Sequence, residues 1–523
     1  MSYSLIQAGS SLQFMDSNGA LTTLTLPTGA ELATTTPPRW AIINRYVVLV
    51  NTPSTPLTID GEGTVRPLSP AAPVLAPTVA TGSVGSLSGA YSGIRYTYII
   101  KDQAGNVIAE SGMSPESGSV TVTSQNIEVS SIGISPDSQV TGRRIYRGTR
   151  NGTTLFKWFD LDGNVLTSFE DDLADAALPI IAAPTLGSAP RLTLVKEWRN
   201  RLWGVSENEK DSLRYAEPDQ WWAWPNTNEI KVPILGDSAR GIIGLMPRRE
   251  ALGVGKRDVI WQITGMTPND FRIVKLAESI GVESQESLAT YRDTVYWLWK
   301  DGVYRWNSDG IRCVSDGKVR SWFATEDYFN QAKFDDAFAI FDPTRLKYRL
   351  FLASADSSTI DSWIEYDIET ETWWGPHETA AFTPTCSFTL FDADDLVVPA
   401  VGSSDFYVWE PQATATDYLD DGIEMDIVTK WHDAGEPEAE KHWGAPSFHG
   451  KVQDAGEITV TPYAGYMDAE AQTPMYYDMT MGRQSLDRIG RGKVMKLRLQ
   501  HSTYNEPVEL YGIELPFNIF GVR

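Results

Sequence analysis

The sequence predicts an all-β protein, with a six- or seven-bladed β-propeller, an inserted β-sandwich and a C-terminal β-sandwich domain. Three observations lead to this fold class. Short apolar runs rich in aromatic residues recur, mostly at intervals of 43 to 55 residues. Turn residues such as Asp-Gly separate the runs, which is a strong hairpin signal. Three or four short strands per unit, at a period in the forties, are typical of propeller blades.

Each repeated run begins with a polar or charged pair, such as Asn-Arg or Arg-Asp, and continues with apolar residues. In RDTVYWLWKDGVYRWNSDG (292–310), two Asp-Gly turns stand among three Trp. Fourteen of the 18 Trp lie between Trp198 and Trp409, and we expect these rings to fill the space between wedge-shaped blades. The six runs are NRYVVLV (44–50), NRLWGV (200–205), REALGVG (249–255), RDTVYWLW (292–299), KYRLFLA (347–353) and DDLVVPAVG (394–402).

The N-terminal segment SLQFMDSNGALTTLTL (11–26) predicts a hairpin with no repeat of its own. We expect it to pair with the last blade, because closure of a propeller removes exposed strand edges. This gives six blades, or seven if the hairpin forms a blade independently. The propeller then comprises an N-terminal segment, 1–76, and the remaining blades in 187–415.

An insertion explains the one long gap in the repeat, the 156 residues between Asn44 and Asn200. Removal of the 110 residues 77–186 restores a spacing of 46. The insert is rich in Ser, Gly and Thr and carries strands about ten residues apart, which suits a seven-stranded sandwich of the immunoglobulin or fibronectin III kind. Its motif RRIYRGTRNGTTLFKWF (143–159) resembles fibronectin III-like modules of phage and bacterial surface proteins.

The repeat stops after Pro411, and the following segment is acidic. Strand patterns return in EITVTPY (457–463), VMKLRLQ (494–500) and VELYGIELP (508–516). In VMKLRLQ, apolar and polar side chains alternate between two faces. These segments predict a C-terminal β-sandwich domain over 416–523.

The net charge of −24 limits the classes of partner. Phosphate binding depends on clustered Lys and Arg, so we do not expect the chain to grip nucleic acid. One reading of the acidic surface is that it keeps the protein soluble. The other is that it repels a polyanion over about 8 Å at physiological salt and so lets the polyanion pass without sticking. No apolar run approaches 18 residues, and no export signal precedes one, so we expect synthesis in the cytoplasm and no membrane partner.

Motifs for chemistry are absent from the sequence. It has no Gly-rich phosphate loop, nucleophile elbow or zinc spacing, and FDLDGN (159–164) lacks the order of a calcium loop. We therefore expect no catalytic residue, no cofactor and no metal. A glycosidase needs two carboxylates about 5–10 Å apart, and the acids available for such a pair are Asp293, Asp301, Glu365 and Asp367.

One basic cluster stands out in GRQSLDRIGRGKVMKLRLQ (482–500). Nucleic-acid contact is one use for it. A solvated strand face, or a contact with an acidic neighbouring subunit or adaptor protein, is more economical in a chain of this charge. The candidate contact residues are Arg483, Arg488, Arg491, Lys493, Lys496 and Arg498.

The whole arrangement resembles the tail nozzle proteins of short-tailed bacteriophages, also called tail tubular protein B or packaged-DNA stabilisation proteins. The most suggestive residues are RNRLW (199–203) and LRYAEP (213–218), followed by the ending LRLQHSTYNEPVELYGIELPFNIFGVR (497–523). The resemblance covers most of the chain and is architectural, and the inserted sandwich departs from the simplest members.

The resemblance implies a structural protein of the virion tail that forms a homo-hexameric ring below the head-to-tail adaptor. The ring encloses the channel through which double-stranded DNA leaves, and it helps to retain and then release the genome. Tail fibres or a tail needle are further partners. Carboxylates lining the channel would guide DNA without adhesion, and the candidates are Asp417, Asp420, Asp421, Glu424 and Asp426.

Two other functions stay open at this point. The first is a host-surface adhesin that binds glycans through exposed Trp221, Trp222 and Trp224. The second is a polysaccharide depolymerase, which would show turnover that carboxylate variants abolish. The aromatic hairpin at 292–310 is structural in each of these hypotheses.

Overall fold

The structure, a computed structural model, consists almost entirely of small antiparallel sheets, which confirms the predicted all-β class. The helical elements of the described residues are one α-helix, α1 (Ser321–Ala324), and 3-10 helices at Asp175–Ala177, Gln331–Lys333 and Met479–Met481. The structure describes residues 4–16, 19–50, 53, 55–179, 183, 187–233, 241–379, 382–391, 396–404, 408–409, 417–418, 421–422, 424–466, 469–503, 506 and 508–520.

The chain divides into two compact units, Met1–Glu410 and Pro411–Arg523. The boundaries at 76/77, 186/187 and 415/416 are finer than this division and stay predictions. Among the described residues, no helix is long and apolar enough to cross a membrane.

Seven small sheets follow one another through the first unit, counted over the described residues. In each sheet, neighbouring strands are antiparallel and pair in chain order. Sheet 1 contains β1 (Ser4–Ala8), β2 (Ser11–Met15) and β3 (Leu21–Thr23), and sheet 2 contains β4 (Arg39–Ile43), β5 (Tyr46–Val50), β6 (Leu57–Ile59) and β7 (Val65–Pro67).

An insert of two sheets interrupts the series after sheet 2. The four-stranded sheet has the order β10-β9-β12-β13, and the three-stranded sheet has the order β14-β11-β8. Both contribute to one core that contains Tyr96, Val122 and Ile145. The strands are β8 (Thr78–Tyr91), β9 (Arg95–Lys101), β10 (Val107–Glu110), β11 (Val120–Ser130), β12 (Gly142–Arg147), β13 (Phe156–Asp162) and β14 (Phe169–Asp171).

The series resumes with four sheets of four strands and one of three. The strands of sheet 3 are β15 (Leu192–Trp198), β16 (Arg201–Ser206), β17 (Ser212–Tyr215) and β18 (Glu229–Lys231). Those of sheet 4 are β19 (Gly244–Pro247), β20 (Leu252–Gly255), β21 (Val259–Thr264) and β22 (Arg272–Glu278). Those of sheet 5 are β23 (Ala289–Tyr291), β24 (Thr294–Trp299), β25 (Gly302–Asn307) and β26 (Gly310–Cys313). Those of sheet 6 are β27 (Phe338–Asp342), β28 (Lys347–Leu352), β29 (Ser362–Asp367) and β30 (Thr372–Glu378), and those of sheet 7 are β31 (Pro384–Phe391), β32 (Val397–Ser403) and β33 (Val408–Trp409).

Each repeated run of the sequence forms the second strand of its sheet, so the sheets begin one strand earlier than the repeat starts. In sheets 2, 4 and 5 the polar pair lies in the turn between the first two strands, whereas in sheet 3 the turn is Arg199–Asn200 and Arg201 already begins β16. Asn44 and Arg45 have φ values of 45° and 68°, and Arg199 and Asn200 both have a φ of 55°. Two successive residues with positive φ make the turn whose twist matches that of the paired strands.

Apolar cores lie between successive sheets, which explains the aromatic content of the repeat. Trp297 of the hairpin at 292–310 is 0% exposed, and Trp306 is 3% exposed. The first strands also meet, since β15 contacts β4 and β19, and β27 contacts β23 and β31. Residues that share a core across successive sheets are Leu12 with Leu49, Val48 with Leu202, Trp203 with Leu252, Met246 with Trp297, Leu298 with Leu350, and Phe351 with Val401.

The predicted pairing of residues 11–26 with the last sheet is wrong for the described residues. This segment pairs with β1 in a sheet of its own, because β1 supplies the partner strand that the sequence pattern does not reveal. Sheet 1 meets sheet 7 through a side chain: the hydroxyl of Ser4 donates to the carbonyl oxygen of Thr389 at 2.8 Å. Sheets 1 and 7 are therefore in contact within the first unit.

The second unit contains a short hairpin, β34 (Asp417–Tyr418) with β35 (Asp421–Gly422), and three small sheets. The sheet orders are β36-β43-β39-β40, β42-β37-β45 and β41-β38-β44. One core includes Trp443, Phe448 and Leu497. The strands are β36 (Met425–Val428), β37 (Lys441–Trp443), β38 (Ser447–Gly450), β39 (Glu457–Gly465), β40 (Met475–Asp478), β41 (Arg483–Ser485), β42 (Gly490–Gly492), β43 (Val494–His501), β44 (Leu510–Glu514) and β45 (Phe517–Ile519).

Candidate interaction surfaces

Four of the six cations of the predicted basic cluster lie in strands of three different sheets of the second unit, and Arg488 and Lys493 lie between these strands. Arg483 lies in β41, Arg491 in β42, and Lys496 and Arg498 in β43. These strands belong to different sheets, so the sequence run does not form one strand face.

The basic cluster and the acidic segment bind each other within one chain. Nε of Arg498 donates to Oδ1 of Asp426 at 2.9 Å, because β36 pairs with β43 and places the two side chains together. The hydrogen bond from Arg498 lowers the pKa of Asp426. Asp426 is therefore a partner of Arg498 within the same unit, and its predicted place at a channel stays a prediction.

Four of the other five cations also have partners in their own unit. Nη2 of Arg483 lies 3.3 Å from Oε2 of Glu514, and Nζ of Lys493 lies 3.2 Å from Oε2 of Glu438. Only Arg488, which is exposed, has no recorded partner among the described residues. The remaining two cations lie over aromatic rings: Arg491 over Phe520 at 4.5 Å, and Lys496 over Trp431 and Tyr463 at 4.7 and 4.8 Å.

The acidic segment is described in part. The backbones of Asp417 and Asp421 form the hairpin of β34 and β35, while their side chains and Asp420 lie outside what the structure describes. Glu424 is exposed. A channel-facing role for these carboxylates stays a prediction.

Three of the carboxylates considered for catalysis have hydrogen-bond partners within their own sheets. Oδ1 of Asp301 accepts from the hydroxyl of Tyr304 at 2.9 Å, and Oδ1 of Asp367 accepts from two backbone N–H groups of its turn at 3.0 Å. Glu365 accepts from Nε of Arg349 at 2.8 Å and also binds Lys347. Burial alone would raise the pKa of Glu365, but these two cations outweigh it, and the pKa is lowered.

The predicted exposure of the tryptophans at 221–224 is wrong. Trp221, Trp222 and Trp224 are 7%, 8% and 0% exposed and belong to the core shared by sheets 2 and 3. The connection from β17 to β18 carries them into this core, where Trp221 packs against Tyr46 with ring centroids 4.8 Å apart. These rings are therefore unavailable for sugar stacking.

A set of arginines at one kind of turn is the feature that the sequence analysis missed. In sheets 2 to 6, the turn between the first two strands carries at least one arginine. The signal was present in the polar pair before each run, which contains Arg in most repeats. We call the following residues the turn arginines: Arg45, Arg199, Arg249, Arg292 and Arg345.

Contacts link these five turns to one another at one end of the sheets. The turns of sheets 2 and 3 are linked through the segment 219–221. Tyr46, which follows Arg45, packs against Trp221. The N–H of Asp219 donates to the carbonyl oxygen of Asn200 at 3.1 Å. In sheets 5 and 6, the ring of Tyr291 stacks on the ring of Phe341 with centroids 4.4 Å apart, and this contact joins the turns of the two sheets.

The three central turns are joined by hydrogen bonds. Nε1 of Trp198 donates to the carbonyl oxygen of Arg248 at 2.7 Å. Nη2 of Arg248 donates to Oδ2 of Asp293 at 2.6 Å, and the N–H of Arg249 donates to Oδ1 of the same carboxylate at 2.8 Å. Burial opposes ionisation of Asp293, but these hydrogen bonds outweigh it and lower its pKa.

A cavity of about 590 Å³ lies among the three central turns. Four arginines and two carboxylates line it, so its formal charge is positive in a chain of net charge −24. Both carboxylates are held by turn hydrogen bonds, Asp293 as described and Glu197 through the N–H of Asn200 at 2.8 Å. The lining residues are Glu197, Trp198, Arg199, Pro247, Arg248, Arg249, Arg292 and Asp293.

Comparison with known proteins identifies no family. No protein-family model and no curated protein sequence matches this chain. Among solved structures, the chain is similar to an exo-β-1,3-galactanase from Phanerochaete chrysosporium, with a TM-score of 0.19 and 10% identity over 98% of this chain and 95% of that one. It is also similar to a chain in an S. cerevisiae complex of Dbp5 with Nup159 and Gle1, with a TM-score of 0.26 and 9% identity over 83% and 100% of the two chains. A third is PorZ of the Porphyromonas gingivalis type-IX secretion system, with a TM-score of 0.18 and 10% identity over 83% of this chain and 53% of that chain. At these TM-scores the similarity supports no functional argument.

Proposed function

We propose that this chain is a structural protein of a short-tailed bacteriophage, the subunit of its tail nozzle. Identical subunits form a six-fold ring below the head-to-tail adaptor, and the ring encloses the channel through which the genome leaves. The chain has a structural role and holds no catalytic centre. It is made in the host cytoplasm and ends in the virion tail.

The observation that carries this proposal is the order of the building blocks. Two small sheets are followed by a two-sheet insert, then by five more sheets, the last of which contacts the first, and then by a separate C-terminal unit. We propose that the seven sheets are the blades of a propeller and that the insert is a fibronectin III-like sandwich. The propeller followed by a C-terminal unit is the order that the nozzle resemblance implies, the insert departs from the simplest members, and RNRLW (199–203) lies in the first sheet after the insert.

The contacts of the side chains favour a structural role over the two rivals. The adhesin hypothesis assigns glycan binding to Trp221, Trp222 and Trp224, and these three rings are buried. A depolymerase would need a carboxylic acid that stays protonated near neutral pH. The pKa values of Asp293, Glu365 and Asp367 are instead lowered: hydrogen bonds outweigh burial for Asp293 and Glu365, and the bond from the Thr370 N–H is the chief cause for Asp367.

Immunogold electron microscopy of phage particles tests the proposal. The antibody is raised against the exposed segment 435–438 of the second unit. We expect gold at the distal end of a short tail, at six copies per particle by quantitative mass spectrometry. Particles that remain unlabelled after mild denaturation has exposed the epitope would exclude the nozzle. Label on long fibres, with glycan binding by the isolated chain, would favour the adhesin.

A further inference from the structure

We propose that the turn arginines form a docking surface for an acidic segment of a second copy of this chain. The inference rests on the proposed ring, for which it supplies one of the two unlike faces that a heterologous contact requires. The basic cluster at 483–498 is poorly suited to that task, because all its cations except Arg488 have partners within their own unit.

The first argument is the repetition of arginine at one place in the fold. Five successive sheets carry it at the turn between their first and second strands. The contacts described above link these turns at one end of the sheets, so the five side chains belong to one surface. Solubility alone would be served by lysine or by either charge, and it gives no reason for arginine at the same turn five times.

The second argument is that the fold uses one arginine of this region and leaves others available. Arg248 donates to Asp293 and to the carbonyl oxygen of Asn307 at 2.9 Å, and it lies over the Trp306 ring at 4.7 Å. Its neighbour Arg249 is exposed, as are Arg45 and Arg292. None of these three has an ion pair with a residue that the structure describes; Arg292 lies over the Tyr291 ring at 5.1 Å, a contact that leaves its guanidinium N–H groups without a carboxylate partner there.

The third argument is the match between the surface and its occupant. The planar guanidinium fork of arginine binds carboxylates with two parallel hydrogen bonds, which a lysine cannot do. The cavity of about 590 Å³ has room for the side chains of an inserted segment. A second copy, with a net charge of −24, is an acidic partner that is always present.

Carboxylates around the turn arginines favour a protein segment over nucleic acid. The turns between the third and fourth strands lie at the same end, since Arg248 donates to Asn307 and Arg199 to Gly265 there. These turns carry exposed carboxylates, which we call the rim. Because like charges repel, the rim disfavours a phosphate backbone lying across it. The exposed carboxylates of the rim are Glu62, Asp270, Asp309 and Glu369.

Charge reversal of the available arginines tests the inference. The variant is Arg45→Glu, Arg249→Glu and Arg292→Glu in the full chain. The control variant makes the same change of net charge at three lysines that are outside these turns and have ion pairs at the protein surface, Lys231→Glu, Lys275→Glu and Lys333→Glu. Circular dichroism and thermal unfolding establish that both variants are folded, and sedimentation velocity measures self-association.

We expect the natural chain and the lysine variant to self-associate in about 50 mM NaCl and to dissociate in about 500 mM NaCl, where the screening length falls below 5 Å. The arginine variant should bind itself about 100-fold more weakly, from three lost contacts of about 1 kcal/mol each. Equal association of the two variants, or a natural chain that stays monomeric at both salts, would overturn the inference. So would loss of binding to a DNA duplex with unchanged self-association, since the arginines would then serve nucleic acid. Gold-labelled tails together with equal association would overturn the docking surface and leave the nozzle proposal standing.

Discussion

Nε of Arg39 lies 2.7 Å from Oε1 of Glu286, so an ion pair joins sheet 2 to the segment that leads into sheet 5. Nη1 of Arg39 also donates to the carbonyl oxygen of Thr193 at 3.0 Å, and the carbonyl oxygen of Glu286 accepts from Ala339 at 2.8 Å. The first strands of sheets 2, 3 and 6 and the segment that precedes sheet 5 therefore meet through this pair. A repeat pattern does not predict it, because its members are 247 residues apart.

The titration of Lys196 reports on this pair. Burial lowers the pKa of Lys196, the carboxylate of Glu286 raises it, and Arg39 lowers it. Glu286→Gln should therefore lower the pKa of Lys196 further, and Arg39→Gln should raise it. The values can be measured by NMR of the ¹³C-methylated lysines, with Lys196→Arg to assign the signal. Shifts of the same sign in both variants would contradict the arrangement.

The pH dependence of stability follows from the same lysine. Because its pKa in the folded chain is lowered, the unfolded chain binds more protons between that value and the ordinary 10.5. The contribution of Lys196 to stability therefore increases as the pH rises through this window. Glu286→Gln lowers the pKa of Lys196 in the folded chain further, so the window begins at a lower pH in that variant.

The sequence predicted those parts of the fold that depend on local pattern. Alternation, aromatic runs and Asp-Gly turns located the second strands of sheets 2 to 7. The first strands were missed because some are very short, such as β23 (Ala289–Tyr291), and carry no alternation long enough to detect. The partner of residues 11–26 was missed for a similar reason, since SLIQA in β1 has only two large apolar residues.

Tryptophans of the repeat should divide into core and surface residues according to burial. Trp297 is 0% exposed, and its Nε1 donates to the carbonyl oxygen of Gly281 at 2.8 Å, whereas Trp374 is 53% exposed. Trp297→Ala should lower the free energy of unfolding by about 3–5 kcal/mol. Trp374→Ala should change it by less than about 1 kcal/mol. Urea unfolding followed by circular dichroism compares the two, and equal losses would contradict the assignment of Trp297 to the core.

The insert should be sensitive to the loss of one buried charge. Nε of Arg147 lies 2.6 Å from Oδ2 of Asp171, and both side chains are fully buried. Arg147→Met leaves the carboxylate without this partner, which typically costs about 3–5 kcal/mol. Hydrogen exchange of β9 and β12 amides in the full chain should show local opening in the insert. Unchanged exchange there would contradict the prediction.

The pH dependence of this effect has a definite sign. Burial raises the pKa of Asp171 to about 6, although Arg147 opposes the rise. The folded chain then binds more protons than the unfolded chain between the ordinary value of 3.8 and about 6. The contribution of Asp171 to stability therefore decreases as the pH rises through that window. Arg147→Met removes the opposing charge, so its insert should open more readily at pH 7 than at about pH 4.5.

The sequence was less informative about surfaces than about strands. Arg483, Arg491 and Arg498 are close in the sequence, but the chain turns between them and they enter three different sheets. Arg498 and Asp426 are 72 residues apart, and only the pairing of β43 with β36 brings them together. Residues joined by a repeated turn, such as Arg199 and Arg292, are far apart in the sequence and share one end of the sheets. Topology therefore decides which charges form a surface.

The turn of sheet 4 contains two adjacent arginines with different contacts, so a comparison of their variants tests whether Arg248 links the turns of sheets 4 and 5. Arg248 donates to the side chain and the backbone of Asp293 and to Asn307, whereas Arg249 is exposed. Arg248→Lys keeps the charge but loses the fork, so we expect a loss of about 1.5–3 kcal/mol, the range for hydrogen bonds to a charged group. Arg249→Lys should change stability by less than about 0.5 kcal/mol.

Acid titration adds a second readout for Arg248→Lys. The pKa of Asp293 is lowered, so its contribution to stability is present above the ordinary 3.8 and is lost as the pH falls through its lower value in the folded chain. Arg248→Lys weakens the bonds that lower this pKa and should move the loss to higher pH, whereas Arg249→Lys keeps the backbone N–H that donates to Asp293. Urea unfolding at a series of pH values measures both variants. Equal acid sensitivity would mean that Arg248 does not hold the turns of sheets 4 and 5 together.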